Sequence, residues 1–454
     1  MRSQGIFLVA MLGLVSAAAA ESRTVSEVLT EPVFHGQVQY YEDGPKNAPT
    51  VVLVHGLGDK AAHDWNSLTR VLSREFRVVR FDLPGFGRSS KGNASYTPDN
   101  YASLIRYLVE RRIRAEPFLL VGHSMGGAIA LRYAARYPQS VSGLVLIDVP
   151  GILHRSVYSQ HLARQGLGSM VPGLSMAPND PLGNLLGNAF SNVERKQLMP
   201  ELVLQFPQIR QKMLNGEPAK IAGLALALED FTRDITAVKN PTLVLWGERD
   251  TVAPLRTGRL LAAVMPQSQL TVFEGSGHVP MDDVAEQFNK TVLDFLRNPQ
   301  VNHVNAILRT PLTPVQNNRV AQCRDRDGMT FEGEYEQIKI IGCRNVVLRR
   351  ARVHKLRLIN SDVSIEDSRI GGGDGGLVAD DARVIITGSR IEGKVAITVI
   401  EAKLDIAGSR IIGEDAAMAA RYTSEVVFSV SRVESPYNFG ELHGFRVVTA
   451  KDLL

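Results

Sequence analysis

Residues 117–127 have the sequence Pro-Phe-Leu-Leu-Val-Gly-His-Ser-Met-Gly-Gly. The first five residues form an apolar run typical of a buried strand, and a helical pattern follows over Met125–Tyr137. Between them, Gly122-His-Ser-Met-Gly126 has the G-x-S-x-G spacing of a sharp strand-to-helix turn that exposes a serine hydroxyl. The spacing alone is weak evidence, but its position between a strand and a helix strengthens it. We therefore predict Ser124 as a nucleophile.

A nucleophilic serine needs a base to accept its proton and a carboxylate to orient that base. With this type of turn, the expected chain order is serine, acid, histidine. His278 lies in the glycine-rich segment Gly275–Pro280, after an apolar run, and is the predicted base. Asp250 follows the apolar run Pro241–Trp246 and is the predicted acid. Asp148 is the alternative acid, and its competing interpretation is a cap for the segment that follows it.

Backbone N–H groups near the serine are needed to stabilise an oxyanion. His55-Gly-Leu-Gly58 follows an apolar run and forms a loop of the kind that presents such a group. We predict that the N–H groups of Leu57 and Met125 form the oxyanion hole. His55 itself is interpreted as a structural residue of the turn, and the tight loop Asp82–Gly87 is expected to pack beneath the site.

Short apolar runs alternate with amphipathic stretches through the first two thirds of the chain. The runs predicted as strands are Thr50–Val54, Phe76–Phe81, Pro117–Val121, Gly143–Ile147, Pro241–Trp246 and Gln269–Phe273. The stretches predicted as helices are Trp65–Ser73, Pro98–Arg112, Met125–Tyr137, Pro254–Val264 and Asp282–Leu296. Runs of consecutive apolar residues suit strands that are buried on both faces of a parallel sheet. The alternation predicts a doubly wound α/β domain.

A long segment, about Val149–Lys239, interrupts this alternation with Met, Leu and Pro but no strand pattern. We predict that it forms a helical cap over the end of the sheet where ligands bind in such folds. The alternative is an ordinary helical insertion with no role at the site.

The last third of the chain contains a repeat, with copies Asp367-Ser-Arg-Ile370, Gly388-Ser-Arg-Ile391, Gly408-Ser-Arg-Ile411 and Val430-Ser-Arg-Val433. The serines are 21, 20 and 22 residues apart, and β-branched runs lie between them. This period predicts an all-β solenoid of stacked parallel strands. A leucine-rich repeat has a similar period, but its Leu and Asn ladder is missing. The pair Asp380-Asp381 is interpreted as a solvated corner rather than as a polysaccharide-cleaving site.

Cys323 and Cys343 are the only cysteines, and their separation of 20 residues matches the repeat. Equivalent positions on stacked coils lie within the distance that a disulfide tolerates. We therefore predict a disulfide, with buried free thiols as the alternative.

Six basic residues without an acidic one stand in the window 344–357: Arg344, Arg349, Arg350, Arg352, Lys355 and Arg357. One interpretation is a solvated face that discourages pairing between sheet edges. The other is attraction to an anionic polymer or membrane surface.

The first twenty residues have a basic start, an apolar middle and the small-residue end Ser16–Ala20, which predicts a signal peptide and export to the periplasm or medium. The predicted domains are 21–298 for the α/β unit, 299–318 for a linker and 319–454 for the solenoid. The chain of 454 residues has 51 basic and 47 acidic residues, too balanced for a dedicated nucleic-acid binder. Two cysteines exclude a zinc site with four thiolates.

Together, His55-Gly56, Asp82–Ser89, Gly122–Gly127, Asp250 and His278 resemble the α/β-hydrolase superfamily over residues 33–298. The resemblance implies a triad of Ser124, Asp250 and His278, with no metal or organic cofactor. It implies cleavage of a carboxylic ester, with carbon–carbon bond hydrolase, lactonase, amidase and perhydrolase activity as alternatives. The C-terminal region resembles a right-handed parallel β-helix of the pectin-lyase-like type. That region is either structural or binds a glycan, surface polymer or partner.

Overall fold

The computed structural model describes residues 24–158, 200–301, 307–310, 315 and 318–448. The predicted signal segment 1–20, the cap residues 159–199 and most of the predicted linker lie outside the described residues.

An eight-stranded sheet forms the core of the first domain, in the order β1-β2-β4-β3-β5-β6-β7-β8. Its strands are β1 (Val25–Glu31), β2 (Gly36–Asp43), β3 (Thr50–Val54), β4 (Arg77–Phe81), β5 (Phe118–His123), β6 (Val141–Ile147), β7 (Thr242–Gly247) and β8 (Ser268–Phe273). Strands β3 to β8 pair in parallel, whereas β1 and β2 are antiparallel. The predicted doubly wound α/β fold is confirmed.

The hairpin of β1 and β2 was not predicted, because the strands are rich in polar residues. Burial of β2 depends instead on ion pairs with β4. Arg77 lies 2.8 Å from Glu42, and Arg80 lies 3.4 Å from Asp43. These carboxylates and guanidinium groups are largely buried. The polar residues of β2 can therefore be buried only when β4 pairs with it.

Helices cover both faces of the sheet. They are α1 (Asn66–Leu72), α2 (Pro98–Leu108), α3 (Met125–Arg136), α4 (Pro200–Gln205), α5 (Pro207–Leu214), α6 (Pro218–Leu228), α7 (Thr232–Ala237), α8 (Leu255–Val264), α9 (Pro280–Asp283) and α10 (Ala285–Arg297). The described part of the predicted cap comprises residues 149–158 and helices α4 to α7, and it contains no strand, as expected. Within the described ranges, no helix has both the length and the apolar character to cross a membrane.

The C-terminal region is all β, and its strands stack in parallel from coil to coil. They are β9 (Val320–Arg324), β10 (Thr330–Ile341), β11 (Val346–Ile359), β12 (Asp362–Glu366), β13 (Arg369–Gly371), β14 (Gly376–Asp380), β15 (Arg383–Thr387), β16 (Arg390–Ile400), β17 (Lys403–Ala407), β18 (Arg410–Ala420) and β19 (Ser424–Glu434). Strand β20 (Phe439–Val448) pairs antiparallel with β19. The predicted stack of parallel strands is confirmed.

The repeated serines form a buried ladder that joins successive coils. The hydroxyl of each serine accepts the backbone N–H of the preceding one, over 3.0 Å from Ser368 to Ser389, 3.1 Å from Ser389 to Ser409 and 3.2 Å from Ser409 to Ser431. Each hydroxyl also donates to the carbonyl oxygen two residues earlier in its own coil. Serine recurs in the sequence because its hydroxyl satisfies a buried donor and a buried acceptor at once.

The solenoid packs against α8 of the α/β domain through the repeat glycines. Gly388 and Gly408 have positive φ angles of 59° and 54°, and a Cβ at Gly408 would lie 2.9 Å from the Cα of Leu260. Ion pairs from α8 to the solenoid join Arg256 to Asp405 and Arg259 to Glu366. Glycine at these turns therefore allows both the left-handed backbone and the close approach of the helix.

The solenoid also contacts the start of the cap. The N–H of His154 donates to the hydroxyl of Ser429 over 2.9 Å, and the His154 and His443 rings are 5.3 Å apart. Burial, with His443 and Arg155 nearby, lowers the pKa of His154 to about 4. The neutral ring can therefore pack between the two domains without an ion-desolvation cost.

Most of the predicted basic window carries paired charges. Acidic partners on the solenoid are Asp362 for Arg344, Glu366 for Arg349, Glu332 for Arg350, Glu334 for Arg352 and Asp374 for Lys355. The partners come from neighbouring coils or corners, where the linear sequence gives no sign of them. Pairing lowers the net positive charge of this face.

Cys323 and Cys343 form the predicted disulfide, with Cα atoms 6.5 Å apart on the first coils of the solenoid. Thiol titration of the denatured, unreduced protein is expected to find no free thiol. Because the bond closes a loop of 20 residues, its removal in C323S/C343S should destabilise the solenoid by roughly 3 kcal/mol. Thermal unfolding followed by circular dichroism measures this loss. An unchanged transition in the double variant would contradict the expectation.

Candidate active site

Ser124 lies at the sharp turn between β5 and α3, with φ 53° and ψ −125°. This conformation is strained for a residue other than glycine. The turn is tight because two glycines lack side chains: a Cβ at Gly122 would clash with the carbonyl oxygen of Gly126, and a Cβ at Gly126 with that of Val54. The N–H of Ser124 donates to the carbonyl of Ile147 on β6 over 2.8 Å. The central strands thus hold the serine at the end of the sheet.

The three predicted triad residues meet in one chain of hydrogen bonds. The Nε2 atom of His278 lies 3.0 Å from the Oγ atom of Ser124. Its Nδ1 atom lies 2.8 Å from the Oδ2 atom of Asp250. Both distances are within the range for proton transfer and for orientation of the imidazole.

The carboxylate of Asp250 is fixed by its own loop, between β7 and α8. Its Oδ1 atom accepts the N–H groups of Val252 at 2.8 Å and Ala253 at 2.9 Å. Its side chain has no exposed surface. Asp250 therefore presents Oδ2 to His278 from a rigid turn.

The loop that carries His278 is held by two further residues. The Oδ2 atom of Asp283 accepts the hydroxyl of Ser276 at 3.0 Å and the N–H of Gly277 at 2.7 Å. On the other side, the Nε2 atom of His123 donates to the carbonyl of His278 over 2.8 Å. Neither Asp283 nor a role for His123 was predicted. His123 bonds to a residue 155 positions further along the chain, whereas Asp283 bonds to residues six and seven positions before it, a local contact that no sequence pattern marks.

Two buried histidines near the serine are neutral. Burial lowers the pKa of His123 to about 3, with the neighbouring His278 as the next cause. Burial likewise lowers the pKa of His55 to about 4, and this ring accepts the N–H of Leu83 over 2.9 Å. His55 thus joins the first loop to the loop that begins at Asp82, in agreement with its interpretation as a structural residue.

The predicted oxyanion donors lie beside Ser124. Met125 is the first residue of α3, where backbone N–H groups have no partner within the helix. Leu57 follows Gly56, at which a Cβ would lie 2.8 Å from the Cβ of Ser124. In the part of the chain that the structure describes, the N–H groups of Leu57 and Met125 make no hydrogen bond.

Asp148, the alternative acid, lies at the end of β6 and makes no hydrogen bond to His278 in the described structure. It is fully buried, and its Oδ1 atom accepts the N–H of Gly247 over 2.9 Å. Asp148 does not cap the segment that follows it, because its Oδ1 atom accepts the N–H of Gly247 at the end of β7. His278 bonds to Asp250 instead.

Residues 49–285 match the model of the alpha/beta hydrolase fold family. The match covers more than half of the 454 residues, and the chain belongs to this family. The solenoid strands, from Val320 onward, lie outside the matched range.

The names of the similar proteins give different hydrolase activities. Lipase 1 of Psychrobacter immobilis is 27% identical over 260 residues, which cover 55% of this chain and 77% of the lipase. 2-Hydroxy-6-oxononadienedioate/2-hydroxy-6-oxononatrienedioate hydrolase 1 of Pseudomonas putida is 28% identical over 282 residues, 57% of this chain and 91% of that protein. A solved hydrolase from Pseudomonas aeruginosa is 24% identical with a TM-score of 0.46, covering 60% of this chain and 98% of its own.

The fit of Gly56 against Ser124 can be tested directly. In Gly56→Ala the new methyl group must displace Ser124 or the Leu57 loop, so we expect kcat to fall by about 10²-fold. Gly58→Ala is the matched control, since a Cβ there meets only a carboxylate oxygen of Asp64 at 3.4 Å. Steady-state kinetics and thermal unfolding of both variants separate misplacement from unfolding. Equal kcat values for the two variants would contradict the fit.

Proposed function

We propose that this protein is a serine hydrolase that cleaves carboxylic esters through an acyl-enzyme on Ser124. The observation that carries the proposal is the continuous chain Ser124–His278–Asp250, with distances of 3.0 and 2.8 Å. It is supported by the strained turn of Ser124 and by the backbone N–H groups of Leu57 and Met125, which have no partner among the described residues.

In the acylation step, the Oγ atom of Ser124 attacks the ester carbonyl carbon while Nε2 of His278 accepts the hydroxyl proton. The carbonyl oxygen becomes an oxyanion, which the N–H groups of Leu57 and Met125 stabilise. Collapse of this intermediate breaks the bond to the alkoxy leaving group, which takes the proton from His278. The product of the step is an ester of Ser124 and a free alcohol.

In the deacylation step, His278 removes a proton from water, and the resulting nucleophile attacks the acyl carbon. The second oxyanion collapses, releases the carboxylic acid and returns the proton to Ser124. Asp250 stays ionised and stabilises the imidazolium that forms in each step. Its two backbone N–H partners keep its charge in place during both steps.

The main test compares wild type with Ser124→Ala on a chain-length series of p-nitrophenyl esters. We expect kcat/KM to fall by about 10⁴-fold or more, because no other group can form the acyl-enzyme. Ser95→Ala, the same change at a half-buried serine that is not part of the hydrogen-bonded chain, is the control. An unaltered rate in Ser124→Ala would overturn the mechanism.

A second candidate function is carbon–carbon bond hydrolysis, which the Pseudomonas putida relative named above favours. The same serine, histidine and aspartate serve both reactions. Turnover of a vinylogous 1,5-diketone by the wild type, with no turnover in the ester series, would favour this candidate. The reverse result would favour the esterase.

We propose that the mature protein is exported and that the solenoid is an accessory domain. The disulfide supports export, since such bonds persist in oxidising compartments. Contacts of the solenoid with α8 and with His154 support a structural role for it. A ligand of the solenoid remains a prediction.

In the second interpretation of the basic window, which is the alternative to a solvated face, the protein binds polyanions in a salt-sensitive manner. R350A/K355A/R357A should weaken retention on an anionic polysaccharide at low salt, because exposed charges act over about 10 Å at 0.1 M salt. K46A/R70A/R74A removes the same charge from exposed positions of the α/β domain and is the control. No retention of the wild type at low salt would contradict the prediction, as would equal weakening by both triple variants.

A further inference from the structure

Asp148 is a buried carboxyl group that the proposed mechanism does not use. It ends β6 with a positive φ of 48°, and none of its surface is exposed. Its N–H donates to Leu245 over 3.1 Å, and its Oδ1 atom accepts the N–H of Gly247 over 2.9 Å. The strand ends of β6 and β7 therefore fix both its backbone and its side chain.

The second oxygen of this carboxyl group has no donor. Within the described part of the chain, Oδ2 of Asp148 is buried and accepts no hydrogen bond. Gly247, which donates its N–H to Asp148, also accepts the N–H of Asp250 over 3.3 Å, and this brings the carboxyl group of Asp250 next to that of Asp148. Two ionised carboxylates only accept hydrogen bonds, so this contact would be repulsive and would leave a buried charge unpaired.

A proton on Asp148 removes both the repulsion between the two carboxyl groups and the unpaired buried charge. We propose that Asp148 is a neutral carboxylic acid that donates a hydrogen bond through its Oδ2 atom to the carboxylate of Asp250. Asp148 is thereby a positioning residue, which acts on His278 through Asp250. The inference rests on the proposed function, because it assigns Asp148 a place behind the proposed triad.

The charges around Asp148 agree with this state. Burial raises the pKa of Asp148 well above its usual value, and the neighbouring charges of Asp250 and Asp283 raise it further. The N–H of Gly247 acts in the opposite direction. Two histidines of the described chain lie in this cluster: His123 is neutral, and His278 is bonded to Asp250 rather than to Asp148.

In this proposal, Asp148 adds a fourth hydrogen-bond donor to the carboxylate of Asp250. Val252 and Ala253 bind Oδ1, His278 binds Oδ2, and the hydroxyl of Asp148 supplies a further donor. Four donors hold the carboxylate in one orientation and spread its charge. Without the Asp148 donor, Asp250 would attract the imidazolium form of His278 more strongly.

Two substitutions separate the hydrogen bond from the charge. Asp148→Asn keeps an oxygen for the N–H of Gly247 and an N–H donor for Asp250, and should keep most of the activity. Asp148→Ala removes the donor, and kcat should fall by about tenfold to a hundredfold, the effect of one hydrogen bond to a charged group. KM should change little, and the acid limb of the pH–activity profile should move to higher pH. The downfield proton resonance of the His278–Asp250 hydrogen bond should shift in Asp148→Ala but not in Asp148→Asn.

Stability against pH tests the protonation state without any substrate. The unfolded chain releases the Asp148 proton near pH 3.8, whereas the folded chain retains it. A group whose pKa is higher in the folded than in the unfolded state contributes to the free energy of unfolding below its unfolded pKa. This contribution is lost as the pH rises from the unfolded toward the folded pKa. Asn does not ionise, so the melting temperature of Asp148→Asn minus that of wild type should increase steadily from about pH 4 to pH 8.

A difference that is constant or decreases over this range would overturn the proposal, because Asp148 would then be ionised in the folded protein. An unaltered kcat and pH profile in Asp148→Ala would overturn its positioning role. Retained activity in Asp250→Asn that is lost in D148N/D250N would show Asp148 to be the triad acid instead. Failure of the esterase proposal is distinguishable, since melting temperatures and the proton resonance do not depend on turnover.

Discussion

The backbone of Ser124, with φ 53° and ψ −125°, is held in a conformation that costs a residue such as serine of order 1–3 kcal/mol. The rest of the α/β domain keeps the residue there. The hydrogen bond to Ile147 fixes its N–H, and α3 begins at the next residue. Gly122 and Gly126 leave no room for a more relaxed turn. Packing of the sheet thus fixes the backbone that carries the Ser124 hydroxyl.

Neutral and charged groups are distributed unevenly around this serine. His55 and His123 are buried and neutral, and each makes a hydrogen bond that joins two loops. The carboxyl group of Asp250, by contrast, accepts the backbone N–H groups of Val252 and Ala253. The imidazole of His278 lies between the hydroxyl of Ser124 and this carboxyl group. Such an arrangement suits the proposed proton transfer, because little would have to reorient when charge develops.

Local patterns predicted the central strands and the serine turn, because apolar runs and glycine spacing determine these features over a few residues. They did not predict β1 and β2, whose burial depends on ion pairs with β4. They identified Asp148 as a candidate but not its position beside Asp250, which requires β6 and β7 to be adjacent. The repeat likewise predicted stacked coils, whereas the packing of Gly408 against Leu260 involves residues far apart in the chain.

Contacts with the α/β domain extend over several coils of the solenoid, from Glu366 through Asp405 to Ser429. Their spacing follows the rise of about 4.8 Å from one strand to the next. Loss of one whole coil within this span would preserve the serine ladder but displace every later contact by one step along α8 and the cap. Gain or loss of a coil on the disulfide side of Glu366 would leave all of these contacts in register. Change in repeat number during evolution is therefore constrained by the partner domain at one end of the solenoid and free at the other.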